Sequence, residues 1–407
     1  MLADRAPGPM RPRIALLDSP YPEEGDRTLT EKGLADVVAA QTRISDIDGK
    51  LGKLWYAGYS IDDLAENSTF EEVFFLLHNN RLPTQAELDE LIEQMVDYRE
   101  ASQFLTDLMP TLAEQTSPMS MLRTGISAAS AYDPDGWDNS PEAVYRKAIR
   151  LTSLITTLIA YYDRHRRDLP IVEPNPKLPH AANFLYMLSG DEPTQEAATA
   201  FDVQFILYAD HTMNASTFTA RVVASTLADI HSAVVAAIAA LKGPLHGGAN
   251  ELAMRMLEEI GSPDRAEDFV MDLFARGEKI MGSGHRVYRT VDDPRATILK
   301  DLSKQLSELA GEPVWYEISE GIDEVVRREK GLRPNVDFYA GSLLHYLGLA
   351  TDLFTPMFAA ARSAGWTAHI REQYHDNRII RPDSEYIGPR DRTYEPIEER
   401  DEEDGQA

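Results

Sequence analysis

Cysteine is absent from this chain of 407 residues. Disulfide bonds, thiolate nucleophiles and cysteine-ligated metals are therefore excluded, so any chemistry must use histidine, carboxylate, arginine or hydroxyl groups. Long apolar runs are also missing, since the longest, Ala233 to Leu241, is far shorter than the roughly 20 residues of a membrane-spanning helix. The N-terminus has no apolar secretory core, which predicts a cytoplasmic protein. No Gly-rich phosphate loop and no His-x-x-x-His metal spacing occurs.

Basic residues are few. The chain has 40 Lys and Arg against 67 Asp and Glu, for a formal net charge of −27. This balance argues against a nucleic acid or an anionic membrane as a partner, because both are bound by basic faces. Apolar residues make up 43% of the chain, which is enough to bury a substantial core. An anionic small substrate would need arginines that are concentrated locally.

The pattern after residue 60 is helical, with apolar residues at spacings of three and four and with capping hydroxyls before acidic first turns. Before it, alternating β-type residues over 37–49 and 54–59 predict a small hairpin. We therefore predict a mainly α fold with a small N-terminal β-hairpin. A loosely ordered arm is expected over 1–34, and a solvated acidic tail over 391–407. The predicted helices are 61–65, 70–78, 85–98, 101–111, 117–131, 141–164, 195–210, 216–241, 251–260, 264–280, 296–310, 313–329, 340–347 and 354–373.

Glycine-flanked histidines are the most informative local feature. His246 lies between Gly-Pro-Leu and Gly-Gly, just before a helix expected to begin near Asn250. The positive end of the helix dipole disfavours a protonated imidazole, so His246 should be neutral and able to donate a hydrogen bond to an enolate-like oxygen. The alternative is a polar residue in a tight interhelical turn.

His285 follows Gly-Ser-Gly and precedes Arg286, Arg289 and Arg295. Several cations in one loop indicate an anionic ligand, because guanidinium groups bind carboxylates and phosphates through paired charged hydrogen bonds. The alternative is a solvated basic turn that pairs with the two aspartates at 292–293.

Four further residues are candidates for the same chemistry. Asp337 lies among apolar and aromatic residues, where loss of water would raise its pKa and its strength as a base; the alternative is a helix N-cap. His211 comes shortly before possible helix caps, which leaves a structural role open. Arg362 lies within an apolar helical stretch, and a buried charge needs a partner. Arg381 precedes a proline after that helix and on its own would be a surface residue.

Four phrases occur in this order: Asp-His-x-x-Asn-x-Ser at 210–216, Gly-Pro-Leu-His-Gly-Gly-Ala-Asn at 243–250, Gly-His-Arg-Val-Tyr-Arg at 284–289 with Asp-Pro-Arg at 293–295, and Pro-Asn-Val-Asp-Phe-Tyr at 334–339. On these phrases the chain resembles the citrate synthase family over roughly residues 35–390. The resemblance implies an all-helical two-domain homodimer with its active site in the cleft between the domains. The large domain would comprise 35–248 and 349–390, and the small domain 249–348.

The resemblance also implies the reaction. Acetyl-CoA and oxaloacetate condense to citryl-CoA, which is hydrolysed to citrate and CoA in the first step of the tricarboxylic acid cycle; no cofactor and no metal is expected. By position, Asp337 resembles the base that deprotonates acetyl-CoA, His246 the residue that stabilises the enol, and His285 the group that polarises and protonates the ketone oxygen of oxaloacetate. The other implied contacts are His211, Arg295, Arg362 and Arg381 with oxaloacetate, Arg381 reaching the neighbouring subunit's site, and Arg289 with a CoA phosphate.

Three alternatives remain open. A 2-methylcitrate synthase, which uses propionyl-CoA, would share every phrase, and one methylene in a pocket is worth only about 1–3 kcal/mol. A catalytically silent ligand-binding relative would have no need to keep Asp337 together with the two glycine-flanked histidines. A purely structural helical scaffold would not explain those histidines at all.

Overall fold

The computed structural model describes residues 32–34 and 37–400. These residues fall into two units, one ending at Gln41 and the other beginning at Thr42. The first unit contains a 3-10 turn at Lys32–Leu34. Most of the predicted arm over 1–34 lies outside the described residues, as does the end of the predicted acidic tail, 401–407.

The second unit is mainly α-helical, which confirms the predicted fold class. Short 3-10 turns occur at Ser130–Tyr132, Pro263–Arg265, Thr351–Leu353 and Ile397–Glu399. The α-helices are α1 (Ile61–Asn67), α2 (Phe70–Asn79), α3 (Gln85–Asp97), α4 (Gln103–Gln115), α5 (Pro118–Ala129), α6 (Pro141–Arg166), α7 (His180–Ser189), α8 (Gln195–Ala209), α9 (Ala215–Ala224), α10 (Ile230–Leu241), α11 (Ala249–Ile260), α12 (Ala266–Ala275), α13 (Pro294–Ala310), α14 (Val314–Lys330), α15 (Val336–Tyr346) and α16 (Phe354–His375).

A small antiparallel sheet precedes the helices, as predicted. Its strands are β1 (Ser45–Asp48), β2 (Lys53–Tyr56) and β3 (Tyr59–Ser60), in that order across the sheet. Residues 37–39 are exposed and irregular, so the first strand begins later than the sequence pattern indicated. Tyr56 is buried, and its hydroxyl donates a hydrogen bond to the Asp210 carbonyl oxygen over 2.8 Å. The hairpin is therefore fixed to the end of α8.

The core is built around α6 and α16, which pack against each other. Nearly every residue of α16 from Phe354 to Ile370 is buried, and the helix also contacts α8, α9 and α10. A helix that is apolar on all sides is expected at the centre of a large helical domain. Polar residues on such a helix must find partners inside the protein, which makes α16 a natural place for a functional charge.

Two predicted helices are divided or shortened. The predicted helix 216–241 is two helices, because Leu227 has a φ of 64° and the Asp229 side chain caps α10 by accepting the backbone N–H of Ser232. The predicted helix 264–280 begins with a 3-10 turn and its α-helical part ends at Ala275. Gly277, with a φ of 69°, ends it, since a left-handed residue cannot continue the helix.

Two helices also start where the sequence did not indicate. Helix α7 was not predicted; the buried carboxylate of Glu71 accepts the backbone N–H of His180 over 2.8 Å and so satisfies its first turn. Helix α15 begins at Val336 rather than at 340. Asn335 caps it by accepting the backbone N–H of Asp337 over 3.0 Å. The alternative role of Asp337 as the cap is therefore wrong.

Candidate active site

His211 lies in the tight turn between α8 and α9. The Asp210 carboxylate accepts the Thr212 backbone N–H over 3.0 Å and the hydroxyl proton of Ser45, and Thr212 has a φ of 45°. His211 is buried, with Nε2 3.4 Å from the Tyr288 hydroxyl. Burial, assisted by nearby positive charge, holds the pKa of His211 well below its ordinary value. His211 is therefore a buried, neutral imidazole.

His285 lies over the same region, with its ring centroid 5.4 Å from that of His211. Its Nδ1 accepts two backbone N–H groups, from Val287 over 2.9 Å and from Tyr288 over 3.2 Å. Burial first, and then Arg295, lowers the pKa of His285 to about 4. A neutral imidazole whose Nδ1 is an acceptor carries its proton on Nε2. The loop thus fixes one tautomer of His285.

His246 lies in the turn between α10 and α11. Its Nε2 accepts the backbone N–H of Ser216 over 3.3 Å and lies 2.8 Å from the Ser216 hydroxyl. Ser216 is in the first turn of α9, so the helix N-terminus that meets the imidazole belongs to α9, and not only to the helix after His246. Burial, followed by the charge of Arg362, lowers the pKa of His246 to about 4. The proton of this neutral imidazole is consequently on Nδ1.

Asp337 lies in the first turn of α15, and its carboxylate does not cap the helix. The Tyr208 hydroxyl donates to Asp337 Oδ1 over 3.2 Å. Burial raises the pKa of Asp337 to about 6, although Arg295, the Tyr208 hydrogen bond and Arg362 act in the opposite direction. The carboxylate is therefore largely ionised at pH 7 but more basic than an exposed aspartate.

Backbone contacts join the Asp337 helix to the His285 loop. The Asn335 backbone N–H donates to the Gly282 carbonyl, and the Asn335 amide donates to the Gly284 carbonyl, each over 2.9 Å. The Gly284 N–H donates in turn to the Arg333 carbonyl over 2.7 Å. These bonds hold the base and the imidazole in one framework.

Aromatic contacts connect His246 to the same place. The Phe358 ring lies 6.3 Å from the His246 ring and 4.4 Å from the Tyr208 ring, measured between centroids. Since Tyr208 is bonded to Asp337, these rings form a continuous wall from one imidazole to the carboxylate. The structure thus brings His246, His285, His211 and Asp337 together.

Two buried arginines complete the cluster. Arg295 binds the buried Asp293 carboxylate through Nε over 3.0 Å and Nη2 over 2.8 Å. Arg362 on α16 donates from Nε to the Tyr208 carbonyl over 2.5 Å, with its guanidinium 4.8 Å from the Phe358 ring centroid. Among the described residues no carboxylate forms an ion pair with Arg362. The Asp210 carboxylate acts on Arg362 only through longer-range electrostatics, so the guanidinium can still bind an anion directly.

Arg289 and Arg381 are not part of this cluster. Arg289 is exposed and donates from Nε to the Arg286 carbonyl over 3.1 Å. The Arg381 side chain is 76% exposed on the segment after α16 and pairs with Asp383 over 2.8 Å. The expected roles of these two arginines, at a CoA phosphate and in a neighbouring subunit, stay predictions.

Several partners of the candidate residues were missed from the sequence. The sequence indicates Ser216 only as a possible helix cap, and Asp293 only as a possible partner of a solvated basic turn. Tyr288 stands inside the phrase that contains His285, which is the signal that could have identified it. Tyr208 and Trp366 carry no local signal, because their contacts depend on how α8 and α16 pack.

No group of three or more histidine or acidic side chains within residues 37–400 is placed to hold a metal ion. In the same part of the chain, no helix has the length and apolar character needed to cross a membrane.

Comparisons with known proteins identify the family of this chain. The sequence profile described as "Citrate synthase, C-terminal domain" matches residues 33–383. Citrate synthase 2 of Bacillus subtilis is 49% identical over 91% of this chain and 99% of its own length. Citrate synthase of Haloferax volcanii is 47% identical over the same shares of the two chains. A 2-methylcitrate synthase of Corynebacterium glutamicum is 39% identical over 92% of this chain and 98% of its own.

Solved structures give the same result. The crystal structure of citrate synthase from Pyrobaculum aerophilum has a TM-score of 0.85 and 44% identity, covering 91% of this chain and 95% of that one. The Thermoplasma acidophilum citrate synthase, solved as a ternary complex with carboxymethyl coenzyme A and oxaloacetate, has a TM-score of 0.86 and 34% identity, covering 91% of this chain and 99% of that one. The fold and site define an all-α enzyme. The chain belongs to the citrate synthase family.

Proposed function

We propose that this protein condenses acetyl-CoA with oxaloacetate and hydrolyses the resulting citryl-CoA to citrate and CoA. The observation that carries the proposal is the pairing of two neutral imidazoles, each with a fixed proton-bearing nitrogen, with a carboxylate whose pKa is raised to about 6. Formation of an enol beside a thioester needs one base and one such donor, and its attack on a ketone needs a second donor.

Asp337 and His246 act in the first step. The Asp337 carboxylate removes a proton from the methyl group of acetyl-CoA, and the electron pair moves to the thioester oxygen. The His246 Nδ1–H donates a hydrogen bond to that oxygen. Because the pKa of His246 is lowered to about 4, the imidazole is neutral and stabilises the developing charge by hydrogen bonding.

His285 and the arginines act in the second step. The methylene carbon of the enolate attacks the ketone carbon of oxaloacetate, and the ketone oxygen, hydrogen-bonded to His285 Nε2–H, takes up that proton. Water returns a proton to His285 and accepts the methyl proton held by Asp337, so both side chains regain their starting states. His211, Arg295 and Arg362 bind oxaloacetate, while Arg289 contacts a CoA phosphate. Water then hydrolyses the thioester and releases CoA. The Thermoplasma acidophilum complex with oxaloacetate and a CoA derivative supports the assignment of both substrates.

The wider organisation follows from the family resemblance. We propose a cytoplasmic homodimer in which Arg381 completes the neighbouring subunit's site, and a large domain (35–248 and 349–390) that closes on a small one (249–348). Oxaloacetate should bind first, since proton removal beside a thioester needs water to be excluded. Equal affinity for acetyl-CoA with and without oxaloacetate would contradict this order.

The reaction is tested by the steady-state release of CoA with oxaloacetate, comparing acetyl-CoA with propionyl-CoA. The expected result is a clear preference in kcat/KM for acetyl-CoA. A preference for propionyl-CoA would make the protein a 2-methylcitrate synthase, an alternative that the Corynebacterium glutamicum relative keeps open. Release from neither substrate would favour a silent ligand-binding relative.

The assigned base is tested with Asp337→Asn. The amide keeps the shape of the side chain but cannot accept the methyl proton, so kcat should fall by about 10²–10⁴-fold. Binding of oxaloacetate, measured by calorimetry, should change little. Turnover close to that of the wild type would remove Asp337 from the mechanism.

A further inference from the structure

The turn between β1 and β2 lies directly against the loop that follows His285. A Cβ atom built on Gly49 would lie 2.6 Å from the Val287 carbonyl oxygen and 2.7 Å from Val287 Cγ1. A Cβ atom built on Gly52 would lie 3.0 Å from the Asp292 carbonyl oxygen. The two segments therefore touch through their backbones, and at Gly49 there is no room for a methyl group.

The turn is itself held in place. Asp48 Oδ1 accepts the backbone N–H groups of Lys50 over 2.8 Å and Leu51 over 2.9 Å. At the other end of β2, the Tyr56 hydroxyl donates to the Asp210 carbonyl over 2.8 Å. The hairpin thus connects the turn that carries His211 to the loop that carries His285.

The contact at Gly49 is one peptide group away from the imidazole. The Val287 carbonyl that meets Gly49 and the Tyr288 N–H belong to the same planar peptide group, and that N–H donates to His285 Nδ1 over 3.2 Å. The Val287 N–H donates to the same atom over 2.9 Å. Any displacement of the Val287 carbonyl therefore moves a donor that fixes the His285 tautomer.

We infer that the β1–β2 turn (residues 48–52) is a seat for the His285 loop (residues 285–292), and that Gly49 is a positioning residue for His285. The turn determines where the loop stops, so that the His285 Nε2–H is directed at the substrate. This inference rests on the proposed function for the reaction that it affects. It adds a role for the hairpin, which the proposed chemistry does not otherwise use.

The test is Gly49→Ala. The backbone of Gly49 is outside the left-handed region, so alanine introduces only the contact with Val287. We expect kcat to fall by about ten- to a hundredfold, because a displacement of the order of 1 Å at a catalytic group has effects of that size. The matched control is Gly321→Ala in α14, where the added Cβ would lie 3.4 Å from the Ala266 Cβ, an ordinary contact. It should keep the wild-type kcat.

A second readout separates positioning from a general loss of structure. In ¹⁵N spectra of the histidines, with His285 assigned by its absence in His285→Gln, the wild type should show an unprotonated Nδ1 and a titration near pH 4. In Gly49→Ala the weakened N–H bonds should shift that midpoint upward, towards the ordinary value of 6.5. The neighbouring Arg295 and Asp293 are unchanged in this variant. The titration of His246 should not move.

Rescue provides the third readout. Val287→Ala removes the Cγ1 atom that meets Gly49 but leaves the Val287 carbonyl oxygen, which the added Cβ would meet at 2.6 Å. The double variant Gly49→Ala/Val287→Ala should therefore recover only the part of the lost kcat that the Cγ1 contact causes. A Gly49→Ala protein that keeps the wild-type rate and the wild-type His285 titration would overturn the inference.

The remaining outcomes also decide the question. If Gly49→Ala does not fold, Val287→Ala alone should lower kcat by about two- to fivefold through a looser seat, and an unchanged kcat would contradict the inference. If the wild type itself releases no CoA, the proposed function fails. The ¹⁵N titration then still tests the seat, because it needs no turnover.

Discussion

The two imidazoles proposed for catalysis, His246 and His285, are held in different ways. His246 accepts a hydrogen bond through Nε2 from Ser216, a residue on a different helix. His285 accepts through Nδ1 from Val287 and Tyr288 in its own loop. Both are neutral, yet the proton is on Nδ1 in one and on Nε2 in the other. At His285 backbone N–H groups alone make these contacts, whereas at His246 the Ser216 hydroxyl also lies 2.8 Å from Nε2.

The two imidazoles are held by parts of the structure that differ in burial. His246 is tied to the packed first turn of α9, where the Trp366 indole also donates to the Ser216 hydroxyl over 3.0 Å. His285 depends on a loop whose Arg286 and Val287 side chains are exposed. We expect the position of His246 to be set by core packing, and that of His285 by whatever contacts its loop.

Removing either imidazole should have the largest effect. His246→Ala and His285→Ala should each lower kcat by about 10²–10⁴-fold, because each removes a hydrogen bond made to developing charge. Only His285→Ala should also weaken oxaloacetate binding, since the proposed mechanism places His246 at the thioester and His285 at the ketone. Kinetics and calorimetry with oxaloacetate check both. Equal weakening in the two variants would show that the two sites are not separate.

The pH dependence should come from the carboxylate and not from the imidazoles. Asp337 must be ionised to accept a proton, so kcat/KM should fall about tenfold per unit as the pH drops below its pKa of about 6 and be level above it. The pKa values of His246 and His285, each about 4, leave both neutral throughout that range. A pH–rate profile that fell as the pH rose from 6 to 7 would mean that one imidazole must be protonated.

Ser216→Ala should lower kcat less than His246→Ala or His285→Ala. It removes the hydroxyl 2.8 Å from His246 Nε2 but keeps the backbone N–H, so the tautomer persists and kcat should fall about tenfold. The control is Ser303→Ala, which removes a buried hydroxyl bonded to Ser342 over 2.7 Å. A kcat for Ser216→Ala as high as that of the control would mean that the backbone N–H alone positions His246. His285 offers no equivalent test, because both donors to its Nδ1 are backbone N–H groups, which no side-chain substitution removes.

The general fold could be predicted from the sequence because its signals are local. Spacings of three and four, capping hydroxyls and a β-type turn located the hairpin and most helices. Errors arose where a tertiary contact or an unusual local backbone conformation decided the result. Helix α7 depends on the Glu71 carboxylate from α2, and the division between α9 and α10 depends on the left-handed Leu227. Apolar periodicity alone detects neither.

The same distinction between local signals and distant contacts applies to the candidate site. The phrases around His246, His285 and Asp337 identified the candidate side chains, and the structure brings them together. The orientation of each side chain could not be predicted, because it depends on residues distant in the sequence. Ser216 lies 30 positions from His246, and Tyr208 lies 129 from Asp337.

Helix α16 connects these distant parts along one face. Arg362 donates to the Tyr208 carbonyl, and Gly365 passes so close to Ala209 that a Cβ would lie 2.4 Å from its carbonyl oxygen. Trp366 and His369 contact Ser216 and Asp210 respectively. These positions recur every three or four residues, as they must to share a helix face. One helix carries all four positions, so they move together. A small rotation of α16 would therefore misalign the anion site and the support of His246 at the same time. Substitutions far along α16 should affect both to a similar extent.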